Sequence, residues 1–193
     1  MDTIISLNGK GFGICAIDTL SFKSFLITKT NLNKYIEIGK NKFLAVSGYP
    51  GDVIQFTDFL QKTIQLYTLK TGLTLSTRSV ANCIRKELSD CLRKNPININ
   101  LTLIGFDKIY GSSLYFIDYL GSLQRMDFCV QGHSSLILSS FLDRYYKQKM
   151  NLQEAIEIIK RCANIIKKRF LIPQTKLLLN IVDEKGCRCL GIV

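Results

Sequence analysis

The most constraining feature of this sequence is the order in which its hydrophobic period changes. Strand-like runs come first, at residues 3–7, 12–18, 25–28, 35–38 and 43–47. The run at 12–18 is apolar almost throughout, as a strand covered on both faces would be. Asn8-Gly9-Lys10-Gly11 separates the first two runs as a turn. From Asp52 the spacing becomes helical, with Val53, Phe56, Leu60 and Ile64 in register. Asp52 is the expected N-cap, with Gln55 three residues later. A second helix is expected from Ser76, with Val80, Ile84, Leu88 and Cys91 on one face and Asn95-Pro96 as its stop. Strands resume at 97–103, 113–119 and 125–130, with turns at Gly111 and Gly121. Two more helices are expected at 134–146 and 152–170, the latter capped by Asn151 with Glu154 at the third position. The chain closes in a hairpin, 176–182 and 187–192. Two antiparallel sheets packed face to face, with a helix pair outside each, bury every apolar face in this order. The expected fold class is α+β, a four-layer αββα sandwich, in one domain over residues 1–193.

Composition narrows the function classes. Apolar residues make up 47% of the 193, enough for a sizeable core. No apolar run is long enough to span a bilayer, and the first residues lack a basic n-region and a small-residue cleavage site. A soluble cytoplasmic and nuclear protein without a membrane partner is the expectation. The seven cysteines are odd in number and fall mostly within apolar segments, which suits reduced, buried thiols. With a single histidine, and Cys187-Arg188-Cys189 as the close cysteine pair, no metal site and no cofactor is expected. The net charge of +11 (26 basic less 15 acidic) is spread along the chain. A solvated lysine-rich surface explains it better than a nucleic-acid partner.

Three stretches carry a family resemblance: Ala16-Ile17-Asp18-Thr19, Lys34-Tyr35-Ile36-Glu37-Ile38 and Ser47-Gly48-Tyr49-Pro50-Gly51-Asp52. With the element order, they resemble the landmarks of N-terminal-nucleophile hydrolases, and among these the beta subunits of the 20S proteasome. Further stretches are similar to the non-catalytic fourth beta subunits, the beta type-2 branch. They include Gly51-Asp52-Val53-Ile54-Gln55-Phe56, Phe116-Ile117-Asp118-Tyr119-Leu120 and Leu142-Asp143-Arg144-Tyr145-Tyr146.

The resemblance implies a chemistry and also its loss. In active members an N-terminal threonine attacks with its hydroxyl, and its own free α-amine takes the proton. A lysine tunes that amine, an aspartate holds the lysine, and a backbone N–H stabilises the oxyanion. Matched on the landmarks, Asp18 falls on the aspartate, Lys34 on the lysine and Gly48 on the oxyanion glycine. Asp2, not Thr3, then falls on the nucleophile. One residue along a strand turns a side chain to the other face. Methionine removal favours a small second residue, so Thr3 is expected to remain amide-linked. His133 replaces a serine in Gly132-His133-Ser134-Ser135, and Phe170 replaces an aspartate after Arg169.

Plainer readings exist for these positions. Asp18 and Lys34 also make sense as a buried ion pair. His133 is either a general base or, at a helix entry, a hydrogen-bonding cap. The implied function is that of a non-catalytic wall of the beta ring in ubiquitin-dependent protein degradation. The implied partners are neighbouring beta subunits, alpha subunits of the adjacent ring and beta subunits of the opposite ring, with residues 134–146 and the last strand as candidate contacts. The alternative is an active threonine endopeptidase, if Thr3 is exposed as a free N-terminus.

Overall fold

A computed structural model describes residues 2–23, 26–170 and 176–193. Strands β1 (Ile4–Asn8) and β2 (Gly13–Asp18) form the first hairpin. On its other edge β2 pairs with β11 (Leu177–Asp183), which pairs in turn with β12 (Gly186–Ile192). On the other side of β1 lies β10 (Phe128–Gln131), giving an antiparallel sheet of order β10-β1-β2-β11-β12. The second sheet holds β5 (Tyr35–Gly39), β6 (Lys42–Gly48), β7 (Ile99–Asp107), β8 (Gly111–Ile117) and β9 (Leu123–Met126) in sequence order.

Helices α1 (Pro50–Thr71) and α2 (Thr77–Leu92) cover the second sheet, and α3 (Ser135–Tyr145) and α4 (Leu152–Arg169) cover the first. Alternation along β2 shows the layering residue by residue. Ile14 and Ala16 pack towards α3 and α4. Cys15 and Ile17 pack between the sheets, against Tyr35, Phe43, Ile104 and Cys129. β2 is buried along its full length because both of its faces are covered. The architecture is the αββα sandwich of the N-terminal-nucleophile hydrolases.

Several local expectations change. Helix α1 begins with Pro50 at its first position, where a missing N–H costs nothing, and Tyr49 is the cap residue. Asp52 is therefore not the N-cap; it sits in the first turn and accepts from the Asn98 N–H at 3.3 Å. Ser76 does cap α2, accepting from the Ser79 N–H at 3.1 Å. The Asn151–Glu154 capping box on α4 is present. The run 125–130 is two strands rather than one. It leaves the second sheet as β9 and enters the first as β10, so its alternation spans two sheets. A two-stranded ribbon, β3 (Ser21–Lys23) with β4 (Leu26–Lys29), takes the place of the expected strand at 25–28. Phe25 lies outside the described residues. Cys15, Cys129 and Cys162 are buried, but Cys189 is exposed, so not every cysteine fills core.

Candidate functional site

A cluster of charge joins the two sheets near the start of the chain. Asp18 ends β2 in the first sheet, and its side chain is fully buried. Lys34 precedes β5 in the second sheet. The Lys34 ammonium pairs with Asp18 Oδ1 at short range. It also donates to Asp2 Oδ1 and to the Leu20 carbonyl, each at 2.7 Å. An ammonium group has three N–H donors and no acceptor, and here all three meet an acceptor. All three donors of Lys34 are thus committed within the cluster.

Asp18 is held from its other side by the backbone. Its Oδ2 accepts from the Thr3 N–H at 3.2 Å, and its own N–H donates to the Thr3 carbonyl at 3.1 Å. The Thr3 nitrogen is therefore a hydrogen-bond donor, which is the opposite of a base. Parity explains which residue reaches the lysine. Ile4 faces the space between the sheets and Ile5 faces the α3–α4 layer. Asp2 shares the parity of Ile4 and meets Lys34, while Thr3 shares that of Ile5 and is buried. Burial pushes the Asp18 carboxyl above its ordinary 3.8, and the charge of Lys34 beside it offsets part of that rise.

The remaining candidate positions are not drawn into this cluster by any hydrogen bond among the described residues. Gly48 ends β6 opposite Ile99. A Cβ there would lie 2.5 Å from the Asn98 carbonyl oxygen, so close strand approach alone demands glycine. His133 is exposed in the turn before α3 and is not the helix cap; that position belongs to Ser134. Ser134 is buried, and its Oγ has no hydrogen-bond partner among the described residues. Gly132 touches the cluster through backbone: a Cβ on it would lie 1.6 Å from the Asp2 carbonyl oxygen. Phe170 caps α4 and packs on the apolar layer beneath it.

Two members of the cluster escape a reading by landmarks. One is Asp2 as a second carboxylate on Lys34; the other is the Leu20 carbonyl. Strand parity was the available signal for Asp2. A loop carbonyl leaves no trace in sequence. A separate cavity of about 810 Å³ lies between the β5–β6 hairpin and α1, lined by Glu37, Lys40, Lys42 and Gln61 among others. It lies on the helix side of the second sheet and includes no residue of the charged cluster.

The fold and the position of the cluster define an N-terminal-nucleophile type of scaffold. The sequence profile described as "Proteasome subunit" matches residues 1–181, and the chain belongs to the proteasome subunit family. It is 39% identical over 191 residues to proteasome subunit beta type-2-B of Arabidopsis thaliana, covering 99% of this chain and 96% of the relative. It is 37% identical over 193 residues to proteasome subunit beta type-2 of Dictyostelium discoideum, covering 98% and 97%. Similarity extends to proteasome subunit beta type-4 of Saccharomyces cerevisiae, at 28% over 190 residues and covering 97% and 96%. Within the family the chain is of the beta type.

Proposed function

We propose that this chain is a non-catalytic, structural beta subunit of the 20S proteasome core. One observation carries the reading: the carboxylate of Asp2, the residue that the landmarks match to the threonine of active members, is tied to Lys34 at 2.7 Å. A carboxylate is a poor nucleophile towards amides. The Thr3 nitrogen is engaged as a donor to Asp18 and does not serve as a base. The fold is then kept for its shape, as one wall of a ring of beta subunits, against alpha subunits above and a second beta ring below. The names of its relatives support a place in that particle. Ubiquitin-dependent degradation in cytoplasm and nucleus follows from the same reading.

The test is the intact mass of the subunit taken from purified core particle, with exposure to an epoxyketone directed at N-terminal threonines. The expected result is a mass that retains Asp2 and no adduct on this chain. A mass beginning at Thr3, with an adduct, would establish the active endopeptidase instead.

A further inference from the structure

Cys187 and Cys189 lie on β12, the edge strand of the first sheet. They pair in regular register with Val182 and Asn180 of β11, and the register shift of this ladder falls beyond them, between Asn180 and Leu179. Alternation therefore sends both thiols to one face. That face lies between the sheets, where Cys187 packs against the cluster that holds Val182. By the same alternation Arg188 is turned to the opposite face, and its guanidinium pairs with Asp183. Cys187 is half-buried and Cys189 exposed, so the pair opens to solvent at the sheet edge. The cross-strand neighbour of Cys189 is Asn180, whose buried Oδ1 has no hydrogen-bond partner among the described residues. A buried oxygen of this kind marks a place where water, an ion or redox chemistry is expected.

The spacing of the two thiols selects among their possible uses. Same-face neighbours on a strand are about 6.8 Å apart. That is the outer limit of the Cα separation a disulfide spans, about 4.4–6.8 Å with most near 5.5–6 Å. An ion held between the sulfurs relaxes the limit. Two metal–sulfur bonds of about 2.3 Å in line part the sulfurs by about 4.6 Å, against about 2.0 Å in a disulfide. A third thiol is out of reach. Cys15 pairs with Asn180 on its far side, two strands and about 9.6 Å from Cys189. Among the described residues no three of His, Cys, Asp and Glu are grouped to hold a metal. Zn(II) takes four ligands. Two thiolates alone suit a soft ion of low coordination number, Cu(I).

We propose that Cys187 and Cys189 form a two-coordinate site for Cu(I) at the edge of the first sheet. Each thiol gives one proton to solvent, each sulfur donates an electron pair to the ion, and the ion keeps its oxidation state. The site shares no residue with the Asp2–Lys34–Asp18 cluster and stands whether or not the chain is catalytic.

The test supplies Cu(I) to the full, reduced chain under nitrogen, in competition with a chromogenic Cu(I) chelator, and reads the ion retained per chain. Retention of a single ion is expected. Cys187→Ser and Cys189→Ser are each expected to weaken it about 100-fold or more, because a lone donor loses the advantage of a linked pair. The double variant Cys83→Ser/Cys91→Ser on α2 is expected to retain the ion as the native chain does. Cys189 is exposed, so Cys189→Ser keeps the test decisive if Cys187→Ser disturbs packing. Zn(II) offered in place of Cu(I) is expected to pass to a competing chelator. No retained Cu(I), undiminished retention in Cys189→Ser, equal loss in the α2 variant, equal retention of Zn(II), or a Cys187–Cys189 disulfide in the chain as isolated would each overturn the proposal.

Discussion

The Lys34 ammonium lies 2.7 Å from the Asp2 carboxylate while it also pairs with Asp18, so two acids from one hairpin meet on one cation from the other sheet. The two acids are unequally dependent on it. Asp18 is fully buried, whereas the Asp2 side chain is 23% exposed. Lys34→Met removes the counter-charge from a carboxylate that cannot reach water. The expected loss is about 3–5 kcal/mol of unfolding free energy. Asp2→Asn breaks a pair that solvent partly screens, for an expected loss of about 0–1 kcal/mol. Urea unfolding of both variants at neutral pH checks this. Equal losses would mean that Asp18 does not depend on Lys34.

The same burial sets a pH dependence opposite in sign to ordinary acid denaturation. Desolvation raises the Asp18 carboxyl above 3.8, with Lys34 opposing part of the rise. A carboxyl that holds its proton more tightly when folded stabilises the fold most when protonated. Its contribution is fully present below 3.8 and declines as pH rises through the raised value. Asp18→Asn removes the titration. The unfolding free energy of the native chain minus that of Asp18→Asn is therefore expected to fall as pH rises from about 3 to about 7. A difference that grows with pH would show that the Lys34 pairing outweighs desolvation.

Much of this site was legible because strands alternate. The positions of Asp18, Lys34 and Asp2 follow from landmarks, and parity explains why Asp2 rather than Thr3 reaches Lys34. The layering was legible for the same reason, since helical and strand periods mark which face each element buries. What resisted were features set by tertiary contact. Met126 and Phe128 flank the point where the chain passes from one sheet to the other, and no local signal tells such a crossing from a continuous strand. The α1 boundary was misplaced because Asp52 is a good cap by type, yet Pro50 already supplies a helical φ two residues earlier. Glycine at position 48 matched an oxyanion landmark, but crowding by Asn98 and Ile99 requires it there in any case.

The thiols range from buried (Cys15, Cys129, Cys162) through half-buried (Cys83, Cys91, Cys187) to exposed (Cys189). Burial pushes Cys15 and Cys162 up to about 12 and Cys129 up to about 11. At pH 8 almost none of these three is thiolate, and none is open to reagent. Cys189 is exposed on the edge strand β12. Brief treatment of the folded, isolated chain with iodoacetamide is expected to modify Cys189 first and to leave Cys15, Cys129 and Cys162 intact until denaturant is added. Peptide mapping by mass spectrometry reads the order. Early modification of Cys15 would contradict the doubly covered position of β2.

Gly132 and Gly111 have similar backbones, at φ +86° and φ +70°, and different surroundings. Nothing lies within 4 Å of a Cβ built on Gly111, so Gly111→Ala carries only the left-handed conformational penalty, about 1–2 kcal/mol. A Cβ on Gly132 lies 1.6 Å from the Asp2 carbonyl oxygen, which is backbone and has no rotamer to escape through. Gly132→Ala is expected to cost about 2–5 kcal/mol, since strain and overpacking add. The clash also has a direction. Something must shift to relieve it, and the expected movement is that of the Asp2 backbone, with its carboxylate leaving Lys34. In the Gly132→Ala background, Asp2→Asn is therefore expected to cost nothing further, while in the Gly111→Ala background its small cost persists. Urea unfolding of this set of variants gives the coupling directly. Independent, additive losses would mean that Asp2 keeps its place on Lys34 without the glycine, and that the loop before α3 does not position it.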